Sequence, residues 1–116
     1  MKLIGSVMEA DFRKELVESH QYHFSASSKS RLKQILEKAG YSTERAYVLH
    51  WTPDQTEDIF TVLIDGEYLV STEIDKFDFT TNSAIEREEI KSYIHGMSRM
   101  HQVRLAVAQD LANDKT

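Results

Sequence analysis

The chain has no cysteine, a single proline and only four glycines in 116 residues. Without Cys there can be no disulfide framework, no thiol nucleophile and no thiolate metal site, which suits a reducing compartment. With so little Pro and Gly, collagen-like and Pro/Gly-rich low-complexity classes are excluded, and a 41% hydrophobic fraction is that of an ordinary globular chain. No apolar run approaches the roughly 20 residues of a membrane span. The N-terminal stretch reaches Glu9 and Asp11 too early for a secretory apolar core. These absences predict a cytoplasmic, membrane-free protein. No internal repeat, interdomain linker, Gly-rich phosphate loop or other catalytic or cofactor signature stands out, so 1–116 is expected to be a single domain with its own core.

What is present centres on residues 46–74. Runs at 46–51, 58–64 and 67–74 are rich in Val, Ile, Leu and Tyr and are separated by Thr52-Pro53-Asp54-Gln55 and by Asp65-Gly66. That pattern predicts a three-stranded antiparallel meander, since Asp-Gly between apolar runs is a strong hairpin signal. The hairpin admits two registers. A two-residue Asp65-Gly66 loop gives a mixed face. A three-residue loop over Ile64, Asp65 and Gly66 groups Phe60, Val62 and Ile64 with Tyr68, Val70, Thr72 and Ile74, and burial selects this second pairing. The opposite face, with Ile59, Thr61, Leu63, Leu69, Ser71, Glu67 and Glu73, is too apolar for plain solvent and too polar for a sealed core. It is a candidate contact face. In the first strand Tyr47, Leu49 and Trp51 alternate with Val48 and His50, which predicts one strongly aromatic side, with Trp51 packed at its rim.

The flanks read as helices. Ser6 and Glu9 have capping-box spacing, and Met8, Phe12 and Leu16 form a stripe to about residue 20. Residues 24–30 are a Ser-rich break; Ser27, Ser28, Lys29, Ser30 and Arg31 suit ordinary capping better than a phosphate cradle. A second helix carries Leu32, Ile35, Leu36 and Ala39, and stops at Gly40 with Tyr41 folding back onto Leu36. After the meander, Phe77 and Phe79 are expected to anchor a return loop. Asn82 or Ser83 would then cap a long last helix reaching residue 112. Such a helix would be about 45 Å long at roughly 1.5 Å per residue. A compact chain of this size is only about 35 Å wide, so the helix must break near Gly96, overhang, or pack on a second copy as a homodimer. The expected fold is α+β: two N-terminal helices and a long C-terminal helix on one face of the meander.

Charge is unevenly distributed. Of the 19 acids, eight lie between residues 54 and 78 against Lys76 alone, within a net charge of -5. Antiparallel pairing brings Asp54, Glu57 and Asp58 to the same end as Glu73, Asp75 and Asp78, so six carboxylates should line one rim. The spacing lacks the alternating oxygen ligands and Gly of an EF-hand. His20 and His23 are one helical turn apart but have no further ligands nearby, and read as surface or capping residues. His95 and His101 point apart, and His101 falls on the apolar face as a core histidine. The basic residues are interleaved with acids, giving nucleic-acid binding little support.

Together these features predict a non-enzymatic protein-binding module of the immunity, antitoxin, inhibitor or small regulatory type. Its contact residues would be Asp54, Glu57, Asp58, Glu73, Asp75 and Asp78 with Leu63 and Leu69, and its partner a basic protein. No cofactor or metal is expected. Two alternatives are a small-ligand or metal-dependent enzyme using a pocket near His50, Trp51 and the rim, and a structural homodimer. A deep pocket with a His and a carboxylate in hydrogen-bond reach would favour the enzyme.

Overall fold

The computed structural model describes residues 2–78 and 83–114. Its elements are α1 (Val7–Phe24), α2 (Arg31–Lys38), β1 (Ala46–Pro53), β2 (Glu57–Ile64), β3 (Tyr68–Asp75), β4 (Ala84–Glu89), α3 (Ile90–Tyr93) and α4 (Arg99–Asn113). The class is α+β as expected, but the antiparallel sheet has four strands in the order β1-β2-β3-β4. The predicted capping box forms: the Glu9 amide donates to Ser6 Oγ, and the Glu9 carboxylate accepts from the Ser6 amide. Helix α1 continues to Phe24 rather than stopping near residue 20, which carries His23 and Phe24 into the core. At the end of α2 the Tyr41 amide donates to the Leu36 carbonyl and the Gly40 amide to Glu37, the reciprocal pair that ends a helix when the next residue turns back onto it.

The hairpin selects the predicted faces but shifts the loop. Ile64 pairs with Tyr68 and Val62 with Val70, so the loop is Asp65, Gly66 and Glu67, and Ile64 stays in the strand. Asp65 and Gly66 both take positive φ, at 55° and 71°. Phe60, Val62, Ile64, Val70 and Ile74 are buried together on one face, as burial demanded.

Two expectations are corrected and one open choice is decided. First, residues 84–89 do not begin a helix. They pair with β3, Thr72 opposite Ile85 and Tyr68 opposite Glu89, because the otherwise open edge of β3 offers a ladder of hydrogen bonds that outweighs the helix preference of Glu and Arg. The Arg87 guanidinium also sits 3.8 Å over the Tyr68 ring. Second, of the outcomes that helix length left open, the break near Gly96 is the one that occurs, at a φ of 77° open to glycine at little steric cost. Ser98 then caps α4 by accepting from the His101 amide. Helix α4 is therefore short enough to lie within the molecule, and helix length no longer argues for a second copy. Third, Phe77 is 76% exposed and anchors nothing, while Phe79 and Asn82 lie outside the described residues.

Helices also cover both faces of the sheet rather than one. On one face Leu32 and Leu36 of α2, with Phe24, pack on Val48, Phe60, Val62, Val70 and Ile74. On the other, Leu16 of α1 and Val103, Leu105, Val107 and Ala108 of α4 pack on Leu49, Leu63 and Leu69. Helix α1 serves both cores because it runs beside the edge strand β1, where His20 Nδ1 donates to the Ala46 carbonyl at 2.6 Å.

A β-bulge in β1 sets this arrangement. Val48 pairs with Val62 but His50 pairs with Thr61, so Leu49 is an extra residue. The strict alternation predicted for β1 ends there. Tyr47 and Leu49 join the α4-side core, whereas Trp51 turns to the α2 side and stacks on Phe60 at 5.8 Å and 8°. The Leu49 carbonyl accepts a 2.9 Å bond from Arg104 Nε. Arg104 also donates to Glu15 at 2.8 Å and lies 5.3 Å over the Phe12 ring, so one side chain joins α4, α1 and β1. Arg104→Met keeps the stem but strands the Leu49 carbonyl; by chemical denaturation it should lower stability by about 2 kcal/mol, against less than about 1 kcal/mol for Glu15→Gln. Equal effects of the two would show that the bond to the Leu49 carbonyl does not clamp the bulge.

Candidate functional site

The acidic rim forms as pairing predicts, because Glu57 lies opposite Asp75 and Ile59 opposite Glu73. The six carboxylates, however, are held differently. Asp75 Oδ1 accepts from the amides of Asp78 and Phe77, both at 2.8 Å, and these bonds hold its pKa below the usual carboxylate range. Asp54 Oδ1 accepts from the Gln55 amide at 2.7 Å in the turn before β2. Asp58 belongs to the other face of the sheet: it accepts from Trp51 Nε1 at 3.1 Å and lies 3.8 Å from Lys76 Nζ. Lys76 also donates to the Asp54 carbonyl. Arg31, distant in sequence, reaches in from α2 to donate to the Asp75 carbonyl. Lys76 is therefore not the rim's single cation.

That leaves Glu57 and Glu73 side by side on the α4 face, with no cation paired to either among the described residues. The charge of Glu73 is the main reason that the Glu57 pKa is raised; desolvation, a hydrogen bond with Glu73, and the charges of Asp75 and Asp54 add to it. Around them Ile59, Thr61 and Ser71 are only half covered, beyond the Leu63 and Leu69 that pack beneath α4. Those two leucines are 0% exposed. They are core residues beneath α4 and cannot touch a partner, which corrects their place in the predicted contact surface. Along β4, Glu86 lies opposite Ser71 on this face, whereas Glu88 and Glu89 lie opposite Leu69 and Tyr68, at the other end of the sheet.

The histidines are rearranged by tertiary contacts. His23 is 8% exposed, a wall residue rather than a surface or capping one, because the extended α1 turns it onto Phe60 (5.5 Å) and Trp51 (6.4 Å). Among the described residues its Nδ1 has no hydrogen-bond partner, and burial lowers its pKa. His101 is exposed rather than in the core, yet it meets His50 edge-on at 4.6 Å. The His50 pKa is lowered by burial first and then by His101 and Arg104. Beside it, burial and the charge of Glu88 push Tyr93 up to about 12. Among the described residues no group of three His, Cys, Asp or Glu is placed to hold a metal.

On the α2 face lies an open cleft of about 320 Å³ whose walls include His23, Trp51 and Asp58. It contains the Trp51 of the predicted pocket but not His50, which faces the opposite side of the sheet. Although His23 and Asp58 both line it, no hydrogen bond joins them, so the acid-base pair expected of an enzyme is not assembled. The Ser-rich break is also committed elsewhere. Ser28 Oγ donates to the Tyr22 and His23 carbonyls, Ser30 Oγ to His23, and Lys33 Nζ to Ser25. These bonds tie α1 to α2 in place of a phosphate cradle.

Comparison with protein-family models, with curated proteins and with solved structures finds no match. No helix among the described residues is long and apolar enough to cross a membrane. Function must therefore be argued from geometry.

Two measurements test the electrostatics. Glu57→Gln and Glu73→Gln should each raise Tm at pH 7, the double variant by less than the sum, and the gain should shrink in about 1 M salt as screening shortens to about 3 Å. The signs of the histidine shifts fix a second outcome. Both folded values lie below the ordinary 6.5, so the unfolded chain takes up protons first as pH falls. This stability is complete above that value and is lost as pH drops from there through the lowered folded values. Tm should therefore decline on the acid side of neutrality, and His23→Phe should reduce the decline.

Proposed function

We propose that the protein is a non-enzymatic binding module whose partner is a basic protein, docked on the α4-side sheet surface at the rim end. The observation that carries this reading is the uncompensated pair Glu57 and Glu73 beside a half-covered patch of Ile59, Thr61 and Ser71. Crowded like charges destabilise the folded chain, and a cationic surface laid over them relieves that repulsion while burying the patch. Asp54, Asp75 and Asp78 extend the field around the contact and steer the approach of a positively charged partner. Asp58, which faces the cleft and holds Trp51 and Lys76, contributes to the field more than to the contact.

The chemistry is that of an immunity protein, an antitoxin, an inhibitor of a basic enzyme, or a small regulatory subunit. It asks for no cofactor, metal or nucleic acid. A rim that merely keeps the sheet end solvated would discourage edge pairing but would select no partner. A structural homodimer would instead change mass with concentration.

Affinity capture from the native cell, at low and then high salt, separates these readings. The wild type should retain a basic protein that is released by salt. In purified form, Glu57→Lys/Glu73→Lys should bind it at least about tenfold more weakly while melting no lower than the wild type. Undiminished binding by that variant would exclude the rim as the contact surface.

A further inference from the structure

The cleft on the α2 face is on the opposite side of the sheet from the proposed protein contact. Its walls come from distant parts of the chain: Tyr22 and His23 from the end of α1, Arg31 from the start of α2, Trp51 from β1, Phe60 from β2, and Lys76 just beyond β3. The apolar floor is Leu32 and Ile74, both buried. At about 320 Å³ it lies at the lower end of the roughly 300–1,000 Å³ range of small-molecule sites.

Two features of the lining define what fits. The first is a continuous aromatic wall. Trp51 stacks on Phe60, His23 meets both edge-on, and Tyr22 meets His23 edge-on at 4.8 Å. Trp51 is nevertheless 55% exposed and Tyr22 75% exposed, so two large rings stand at the mouth with surface still open to water. Such surface favours a planar ring. The second feature is charge. Arg31 and Lys76 line the cleft against one carboxylate, Asp58, whose Oδ1 already accepts from Trp51 Nε1. The charged side chains of the lining therefore sum to a positive site, and Ser30 caps the positive end of the α2 dipole at the same wall. A cationic ligand would compete with Lys76 for Asp58; an anion meets two cations and no unengaged acid in the lining.

We propose that this cleft is a binding site for a small planar aromatic anion, its ring against Trp51 and Tyr22 and its carboxylate or phosphate toward Arg31 and Lys76. The site is independent of the protein-binding reading. It requires no covalent step, and the missing His23 to Asp58 bond fits binding rather than catalysis.

Trp51 is the chain's single tryptophan, so its indole N–H gives one unambiguous signal in a two-dimensional ¹H–¹⁵N spectrum of the full chain. Benzoate, phenyl phosphate and adenosine 5′-monophosphate are titrated as anionic probes, against benzamide as the neutral and benzamidine as the cationic control. At least one anion should shift the indole signal saturably below about 1 mM, with both controls at least about tenfold weaker. Comparing benzoate with phenyl phosphate shows whether carboxylate or phosphate is preferred. Arg31→Gln/Lys76→Gln should weaken the best anion at least about tenfold. Because both cations also bond backbone carbonyls, Tyr22→Ala, at an exposed position, serves as the second variant and should weaken it several-fold without lowering Tm. No saturable shift with any anion up to about 10 mM, or benzamidine binding as tightly as the best anion, would overturn the assignment. So would Tyr22→Ala binding like the wild type.

Discussion

The bond from Arg104 to the Leu49 carbonyl is the constraint on which the rest of the structure depends. A bulge inserts one residue into an edge strand and leaves its backbone polar groups outside the regular ladder, where they must find partners or be desolvated without compensation. Arg104 supplies the partner from α4 and is itself fixed by Glu15 on α1. The same bulge exchanges the faces of β1 beyond Leu49. Tyr47 therefore packs beneath α1 and α4, while Trp51 reaches the opposite core and the cleft.

From that exchange follows a sheet with two differently finished sides. The α2 side is sealed over its middle and opens as the cleft at the Trp51 end. The α4 side is sealed over Leu49, Leu63 and Leu69, then left half covered where Glu57 and Glu73 stand. The charges near the end of the β2–β3 hairpin divide between the two sides: Lys76 and Arg31 line the cleft, and the crowded glutamates face the other way. A single acidic segment in the sequence thus gives two surfaces of opposite character, only a sheet's thickness apart.

The edges are finished with equal economy of means. Edge β1 is flanked by α1, with His20 bonded to the Ala46 carbonyl. The other edge, β4, is exposed and carries Glu86, Arg87, Glu88 and Glu89, and charge of that density opposes pairing with another strand. The acids of residues 84–89 therefore discourage strand addition at the edge instead of favouring a helix start.

What the sequence alone determined is what depends on neighbours in the chain. The Ser6–Glu9 box, the stop at Gly40, the Asp65-Gly66 hairpin and the gathering of acids at one end are set by short-range bonds, backbone preference and strand parity. The buried face of β2 and β3 was legible for the same reason, since a wrong parity would set Phe60 and Val62 beside Ser71 and Glu73 and part them from Val70. Tertiary structure decided the fates of residues whose local preference was ambiguous or outweighed. Residues 84–89 became a strand because an open sheet edge was waiting for them. Leu63 and Leu69 left the candidate contact surface because α4, freed by the turn at Gly96, folded over them. Arg31 joined the rim and His23 the cleft because helix packing brought them there, and no spacing in the sequence encodes a contact between such distant positions.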